Sequence, residues 1–160
     1  MKGNTFFSIN HKSNSKFFSI KLFVLAQSIL LINALLFDFL INKFGLASGF
    51  ENETLFSSLN EKYLMVLLFA PLFETVVFNL LMNEFWNKFF NIITTIVLSS
   101  VLFAIFHFYS LYYMFFAFVG GLVFNSFYFH FRKNFNIYIA FLLTWLLHFN
   151  HNFIGIILDK

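Results

Sequence analysis

The stretch Tyr63–Met82, YLMVLLFAPLFETVVFNLLM, decides the fold of this chain. It is an apolar run about as long as the roughly 20 residues that a helix needs to cross a bilayer. One acidic residue, Glu74, stands near its centre. A carboxylate at that depth costs about 2.5 to 3.5 kcal/mol on insertion scales, and such groups usually face a protein interior or a wet cavity. The sequence therefore predicts a membrane protein in which neighbouring helices supply partners for Glu74.

The composition of the 160-residue chain agrees with a membrane location. Charged residues make up 11% of the chain, far below the quarter or so that soluble domains carry, and the mean hydropathy is +0.80. The net charge is +3, but the basic residues form no groove-sized patch, so no nucleic-acid partner is expected. The absence of Cys excludes disulfides and thiol chemistry. We expect an integral membrane protein in contact with lipid.

The fold class predicted from the apolar segments is all-α, a polytopic membrane helix bundle of about five transmembrane helices. Residues 89–129 contain no Asp, Glu, Lys or Arg; they are too long for one span and suit two, with a reversal near Tyr109–Tyr113. The predicted segments are Phe17–Ile41, Tyr63–Met82, the two halves of Phe89–Phe129, and Phe135–Leu158. Residues 1–16 are interpreted as a flexible N-terminal tail, residues 17–160 as a single transmembrane domain, and residues 42–62 as an external loop.

The distribution of basic residues predicts the orientation in the membrane. With the N-terminus inside, seven of the ten basic residues lie on the cytoplasmic side, in agreement with the positive-inside rule. The three outside are Lys43, Lys62 and Lys160. A signal peptide cleaved near Gly45–Ala47 is an alternative for the first segment, although its apolar run is too long for one.

The third segment carries a polar stripe. His107 follows Phe103 by four residues, so the two share a helix face, and Thr95 and Ser99 continue that face backwards. A polar stripe in a membrane helix faces the protein interior. We expect this stripe, and His107 in particular, to face Glu74, although a lone intramembrane His is also often a structural hydrogen-bond partner.

The last two segments present a second polar face and a packing face. His148 and Asn152 are again four residues apart, with Thr144 one turn earlier and His151 close to the same face. In the fourth segment small residues recur every four positions, which lets a neighbouring helix approach closely. These are Ala117, Gly121 and Asn125.

The order of these motifs over about residues 62–157 resembles the CPBP family of intramembrane proteases, which includes the type II CAAX prenyl endopeptidases and the Abi proteins linked to bacteriocin self-immunity. The family's motifs are a Pro followed by Glu-Glu-x-x-x-Arg, then Phe-x-x-x-His, a Gly-containing helix, and His-x-x-x-Asn. The matching residues are Pro71 and Glu74, Phe103 and His107, and His148 and Asn152. Thr75 and Asn79 stand at the positions of the second Glu and the Arg. Asn79 can still donate a hydrogen bond, and Thr75 can bond back to its own helix.

The resemblance implies an intramembrane endopeptidase, a hydrolase often labelled a metalloprotease, in a bacterial cytoplasmic membrane. Its catalytic residues would be Glu74, His107, His148 and Asn152, and its substrate a hydrophobic peptide or membrane protein. We expect Glu74 and His107 to activate water, and His148 and Asn152 to stabilise the oxyanion. No cofactor is favoured. Zinc is the alternative, held by Glu74, His107 and His148.

Two other functions stay open at this point, and the oligomeric state is not predicted. Because Thr75 and Asn79 replace charged residues of the family motif, the chain could be a catalytically impaired protein that binds a peptide or partner, for example in bacteriocin immunity. Proton or ion passage along Glu74, His107 and His148 is weaker, because the sequence shows no inverted repeat.

Overall fold

The structure, a computed structural model, describes residues 6–45 and 58–158 of the chain. All of the regular structure in these residues is helical, which confirms the predicted all-α membrane bundle. The five helices are α1 (Phe6–Phe44), α2 (Leu59–Trp86), α3 (Ile92–Ile105), α4 (Leu111–Asn134) and α5 (Ile137–Leu158). Helix α1 begins inside the segment predicted as a tail. Residues 1–5 of that tail, and residues 46–57 of the predicted external loop, lie outside the described residues.

Four of the helices in the described residues are long and apolar enough to cross a membrane: Ser19–Phe44, Leu59–Trp86, Leu111–Asn134 and Ile137–Ile157. Helix α3 has 14 residues and is therefore about 21 Å long, shorter than the roughly 30 Å hydrocarbon core. The reversal after it is centred a few residues before the predicted Tyr109–Tyr113. The Ser110 hydroxyl accepts from the Tyr113 N–H at 3.1 Å and so caps α4, which places Tyr112 and Tyr113 in its first turn.

Helix α2 is continuous but not uniformly α-helical. Two π-helical segments, Met65–Phe69 and Thr75–Leu81, enclose one α-helical turn, Ala70–Glu74. Pro71 has no N–H to donate to the preceding turn, which is consistent with a wider turn before it. π-helical turns of this kind are often found at functional sites. Glu74 is the last α-helical residue before the second wide segment.

The helices alternate in direction. Asn33 of α1 donates to the Phe116 carbonyl at 3.1 Å, while the rings of Phe23 and Phe127 lie 5.9 Å apart, so α1 and α4 are antiparallel. The end of the bundle where α2 and α4 finish is here called the Arg132 end. Because α1 runs opposite to α4, the membrane-spanning part of α1 begins at the same end. Arg132 and Lys133 lie at this end. This arrangement of ends matches the predicted topology, whereas the side that faces the cytoplasm stays a prediction.

A hydrogen-bonded ion pair ties α2 to α4 at the Arg132 end. The Glu84 carboxylate accepts from Arg132 Nε at 2.7 Å and from the Tyr128 hydroxyl at 2.7 Å. The pair is partly exposed, so its net contribution to stability is about 1 kcal/mol or less.

The predicted packing face of α4 is confirmed. A Cβ placed on Gly121 would lie 3.1 Å from the Ser100 Cα of α3, a separation that real Cβ contacts rarely show. Ala117 and Asn125 are also buried. The polar stripe of α3 faces inward as predicted, because Thr95 and Ser99 are fully buried. The rest of the core is largely aromatic, and its largest fully buried members are Tyr128, Phe124 and Phe131.

Candidate active site

Three ionisable side chains from separate parts of the chain meet in the middle of the bundle. Glu74 comes from α2, His107 from the turn after α3, and His148 from α5. The Oε2 atom of Glu74 lies 3.8 Å from His107 Nε2 and 3.4 Å from His148 Nε2. The side chains of Glu74 and His107 keep exposures of 21% and 15%, while His148 keeps 4%. The carboxylate is therefore reachable from one side and closed on the side of His148.

The hydrogen bond of His107 to its own helix fixes its tautomer. His107 Nδ1 lies 2.6 Å from the Phe103 carbonyl oxygen. A carbonyl only accepts, so Nδ1 carries the hydrogen, and the neutral ring then has its lone pair on Nε2. The Phe103 ring also packs against the imidazole, with the ring centroids 4.3 Å apart. Phe103 therefore directs the basic nitrogen of His107 toward Glu74.

The side chain of His148 is held by aromatic packing. Its ring stacks on Phe124 of α4, with centroids 4.3 Å apart and planes 28° apart, and it meets the edge of Phe103 at 6.0 Å. Its Nδ1 has no partner within hydrogen-bond distance in the described part of the chain. Because Nε2 faces a carboxylate oxygen, the tautomer with the hydrogen on Nε2 is the favourable one.

The three side chains lie at a common depth. Both imidazole Nε2 atoms lie within 3.8 Å of the same carboxylate oxygen of Glu74, so no large offset along the bundle separates the three side chains. Counted along the sequence from Lys88, His107 would lie farther out than Glu74. The difference arises because α2 continues to Trp86, whereas α3 begins only at Ile92.

Asn152 lies one turn beyond His148 and has a different partner from the other three residues. Its Nδ2 donates to the backbone carbonyl of Val66 at 2.9 Å. Val66 belongs to the first π-helical segment of α2, eight residues before Glu74. An amide nitrogen carries two hydrogens, so one remains for another acceptor. Asn152 thus links α5 to the helix that carries Glu74.

The residues at the altered motif positions take part in a neutral network instead of an ion pair. Asn79 Nδ2 and Asn83 Nδ2 both donate to Asn125 Oδ1, at 2.8 and 2.7 Å. Asn125 Nδ2 in turn donates to Ser100 Oγ at 3.1 Å. The expectation that Asn79 donates a hydrogen bond is confirmed. The expectation for Thr75 is wrong, because its buried hydroxyl has no partner among the described residues.

Sequence reasoning missed three residues around the cluster. Asn83 lies just beyond the predicted apolar segment Tyr63–Met82, yet it is fully buried, and its position four residues after Asn79 was the available signal. Tyr113 was named only as part of the predicted reversal, but its ring lies 5.9 Å from that of His107. Phe124 was one Phe among thirty, and nothing in the sequence distinguishes it as the ring that stacks on His148.

The zinc alternative requires that three donor side chains be arranged around one ion. Within residues 6–45 and 58–158, no group of three or more His, Cys, Asp or Glu side chains is arranged to hold a metal ion. Glu74, His107 and His148 nevertheless offer the donor types that catalytic zinc uses.

A bundle of membrane helices around a buried acid and two imidazoles defines an integral membrane protein with a polar site inside the bilayer. The family model described as type II CAAX prenyl endopeptidase Rce1-like matches residues 57–154, which is more than half of the chain and includes all four candidate residues. The chain belongs to this family of intramembrane endopeptidases. No curated protein and no solved structure matches it.

Proposed function

We propose that this protein is an intramembrane endopeptidase in which Glu74 is the general base. The observation that supports this most directly is that two imidazole nitrogens, from separate parts of the chain, both lie within 3.8 Å of one carboxylate oxygen. Placing ionisable groups inside a membrane costs free energy, and intramembrane ionisable residues usually mark a functional site.

Glu74 and His107 are suited to activate a water molecule. The 3.8 Å between Glu74 Oε2 and His107 Nε2 is too long for a direct hydrogen bond, and contacts of this length often contain a bridging water. With Nδ1 bonded to Phe103, His107 presents a lone pair. A water that donates one hydrogen to each group has its own lone pair free to attack a carbonyl carbon.

The proposed reaction is a balanced hydrolysis. The water oxygen bonds to the peptide carbonyl carbon while one water proton passes to Glu74, which gives a tetrahedral intermediate with a negatively charged oxygen. Glu74 then returns the proton to the leaving nitrogen as the carbon–nitrogen bond breaks. The products are a carboxylic acid and an amine, and Glu74 is again a carboxylate. General acid–base catalysis of this kind contributes about 10²- to 10⁴-fold to a rate.

His148 and Asn152 are the proposed donors to the oxyanion. With its hydrogen on Nε2, His148 points toward the space beside Glu74, and stacking on Phe124 fixes the ring orientation. Asn152 uses one amide hydrogen on Val66 and keeps another for the substrate. Loss of one such donor typically costs about 10²- to 10³-fold in rate.

The test is cleavage of a hydrophobic reporter peptide by the full chain in liposomes, with the products identified by mass. We expect His107→Ala to reduce the rate at least about 100-fold. The matched control is His130→Ala, on the membrane-spanning helix α4 and away from the cluster. This variant should cleave the reporter at the rate of the unaltered protein. Equal cleavage by both variants would exclude the mechanism. Prenylated and unprenylated forms of the reporter, compared side by side, show whether the lipid group is required.

A second candidate function is membrane-embedded binding by a catalytically impaired protein, for instance in immunity to a bacteriocin. The neutral network of Asn79, Asn83 and Asn125 supports this candidate, because it replaces the charged brace of the family motif. A protective phenotype that survives Glu74→Gln would favour binding, since a binding role tolerates loss of the charge and a general base does not.

A further inference from the structure

Helices α2 and α3 together carry five buried side-chain oxygen atoms, here called the row, that have no hydrogen-bond partner among the described residues. They are Thr75 Oγ1, Asn79 Oδ1, Asn83 Oδ1, Thr95 Oγ1 and Ser99 Oγ. Each of these five residues is at most 1% exposed. None of the five belongs to the proposed catalytic set, and the network around Asn125 leaves all of these atoms unused.

The contacts of Asn125 bring the amide groups of Asn79 and Asn83 to one shared acceptor. Asn79 and Asn83 donate to the same oxygen, Asn125 Oδ1, at 2.8 and 2.7 Å. Within one amide group the oxygen is about 2.3 Å from the nitrogen, given ordinary bond lengths. The free oxygens of Asn79 and Asn83 are therefore both within about 5 Å of Asn125 Oδ1.

The three hydroxyls continue this polar region on both helices. Thr75 is four residues before Asn79 on α2, and Thr95 is four residues before Ser99 on α3. Ser99 adjoins Ser100, which accepts the hydrogen bond of Asn125. The region thus starts beside Glu74 and extends along α2 toward the Arg132 end.

Leaving so many polar atoms unpaired would be costly. A buried unsatisfied group costs about 1 to 3 kcal/mol, and buried polar groups in native proteins are paired with protein atoms or with ordered water. Amide oxygens require a donor, whereas hydroxyls can both donate and accept. Water supplies both roles. A cation would satisfy only the acceptors, and the row contains no carboxylate to balance its charge.

We propose that α2, α3 and α4 enclose an internal water-binding site lined by these oxygens. Because a buried water makes about three hydrogen bonds, about two ordered waters are enough to give each of the five oxygens a partner. These waters would bridge polar groups of the π-helical segment Thr75–Leu81 and of α3 that do not contact each other directly. The site is inferred from the buried oxygens alone, so it stands whether or not the protein hydrolyses peptides.

The test is the thermal stability of Thr95→Val against that of Thr94→Val, measured without substrate on the full chain in detergent. The two changes are chemically identical and adjacent on α3, but Thr94 is only half-buried and is not part of the row. If water holds the Thr95 hydroxyl, Thr95→Val loses that bond and lowers Tm by about 2 to 4 °C more than Thr94→Val does. If the row is dry, Thr95→Val removes an unpaired group and leaves Tm unchanged or raises it, which would overturn the proposal.

Two further measurements separate water from the alternatives. A high-resolution structure should show density within about 2.7 to 3.2 Å of Asn79 Oδ1 and Asn83 Oδ1, and empty space there would overturn the site. Replacing sodium by choline in the buffer should leave Tm unaltered. A fall in Tm on sodium removal, in the unaltered protein but not in Thr95→Val, would identify a bound cation instead of water.

Discussion

Asn152 of α5 donates a 2.9 Å hydrogen bond to the backbone carbonyl of Val66 in α2. The bond joins the helix of His148 to the helix of Glu74 at the first π-helical segment. A wide turn directs its carbonyls differently from an α-helical turn, and one of them meets Asn152. The residue proposed as an oxyanion donor is therefore also a positioning link between the two halves of the site.

Replacing Asn152 should affect both stability and activity. Asn152→Ala removes the bond to Val66, so we expect Tm to fall by about 2 to 4 °C and the cleavage rate to fall at least about tenfold. Asn150→Ala is the matched control, because residues two positions apart on α5 do not share a face. If both variants melt at the same temperature, the link to Val66 does not contribute to stability.

The adjacent glycines of α4 should differ in their tolerance of a methyl group. A Cβ on Gly121 would lie 3.1 Å from backbone and side-chain atoms of Ser100, whereas one on Gly120 has its nearest contact at 3.8 Å, on a side chain. We expect Gly121→Ala to lower Tm by several degrees, because α3 must move away from α4. Gly120→Ala should leave Tm unchanged or slightly raise it. Equal tolerance of both changes would contradict the close contact between these helices.

The network around Asn125 should show graded losses of stability. Asn125→Leu leaves the amides of both Asn79 and Asn83 without their acceptor, so we expect a fall in Tm of about 5 °C or more. Ser100→Ala removes only the acceptor of Asn125 itself, and its effect should be smaller. Thermal melts of the two variants in the same detergent test the order, and a larger loss for Ser100→Ala would contradict it.

Chelation distinguishes the proposed mechanism from the zinc alternative. If Glu74 and His107 activate water without a metal, reporter cleavage should be unchanged after treatment with a strong zinc chelator followed by its removal. Loss of cleavage that added zinc restores would instead show that a metal is required, with Glu74, His107 and His148 as the candidate ligands. The treated protein's Tm serves as the control for damage by the chelator.

Much of the architecture could be predicted because membrane helices require long apolar runs. The inward stripe of Thr95 and Ser99 and the small-residue face of α4 also followed from a four-residue spacing. The length of α3 could not be predicted, because the run from Phe89 to Phe129, which has no Asp, Glu, Lys or Arg, does not show where a short helix ends. Ser110, which caps α4, was the one local signal for that end.

The candidate site was less predictable than the fold. Glu74, His107 and His148 could be named because ionisable groups in apolar runs are rare. The partner of Asn152 could not, since it is a backbone carbonyl in a π-helical turn and any residue type could supply it. The role of Asn125 was hidden for another reason: its spacing after Ala117 and Gly121 indicated packing, and it both packs and accepts two hydrogen bonds.

The most direct test of the central claim compares Glu74→Gln with Glu84→Gln. Both changes remove one carboxylate from α2, ten residues apart, and Gln keeps an acceptor for Arg132 and Tyr128 at position 84. Under steady-state conditions with the reporter peptide, Glu74→Gln should lower the rate at least about 100-fold with Tm nearly unchanged, and Glu84→Gln should retain the rate. Cleavage by Glu74→Gln at the rate of Glu84→Gln would contradict the account.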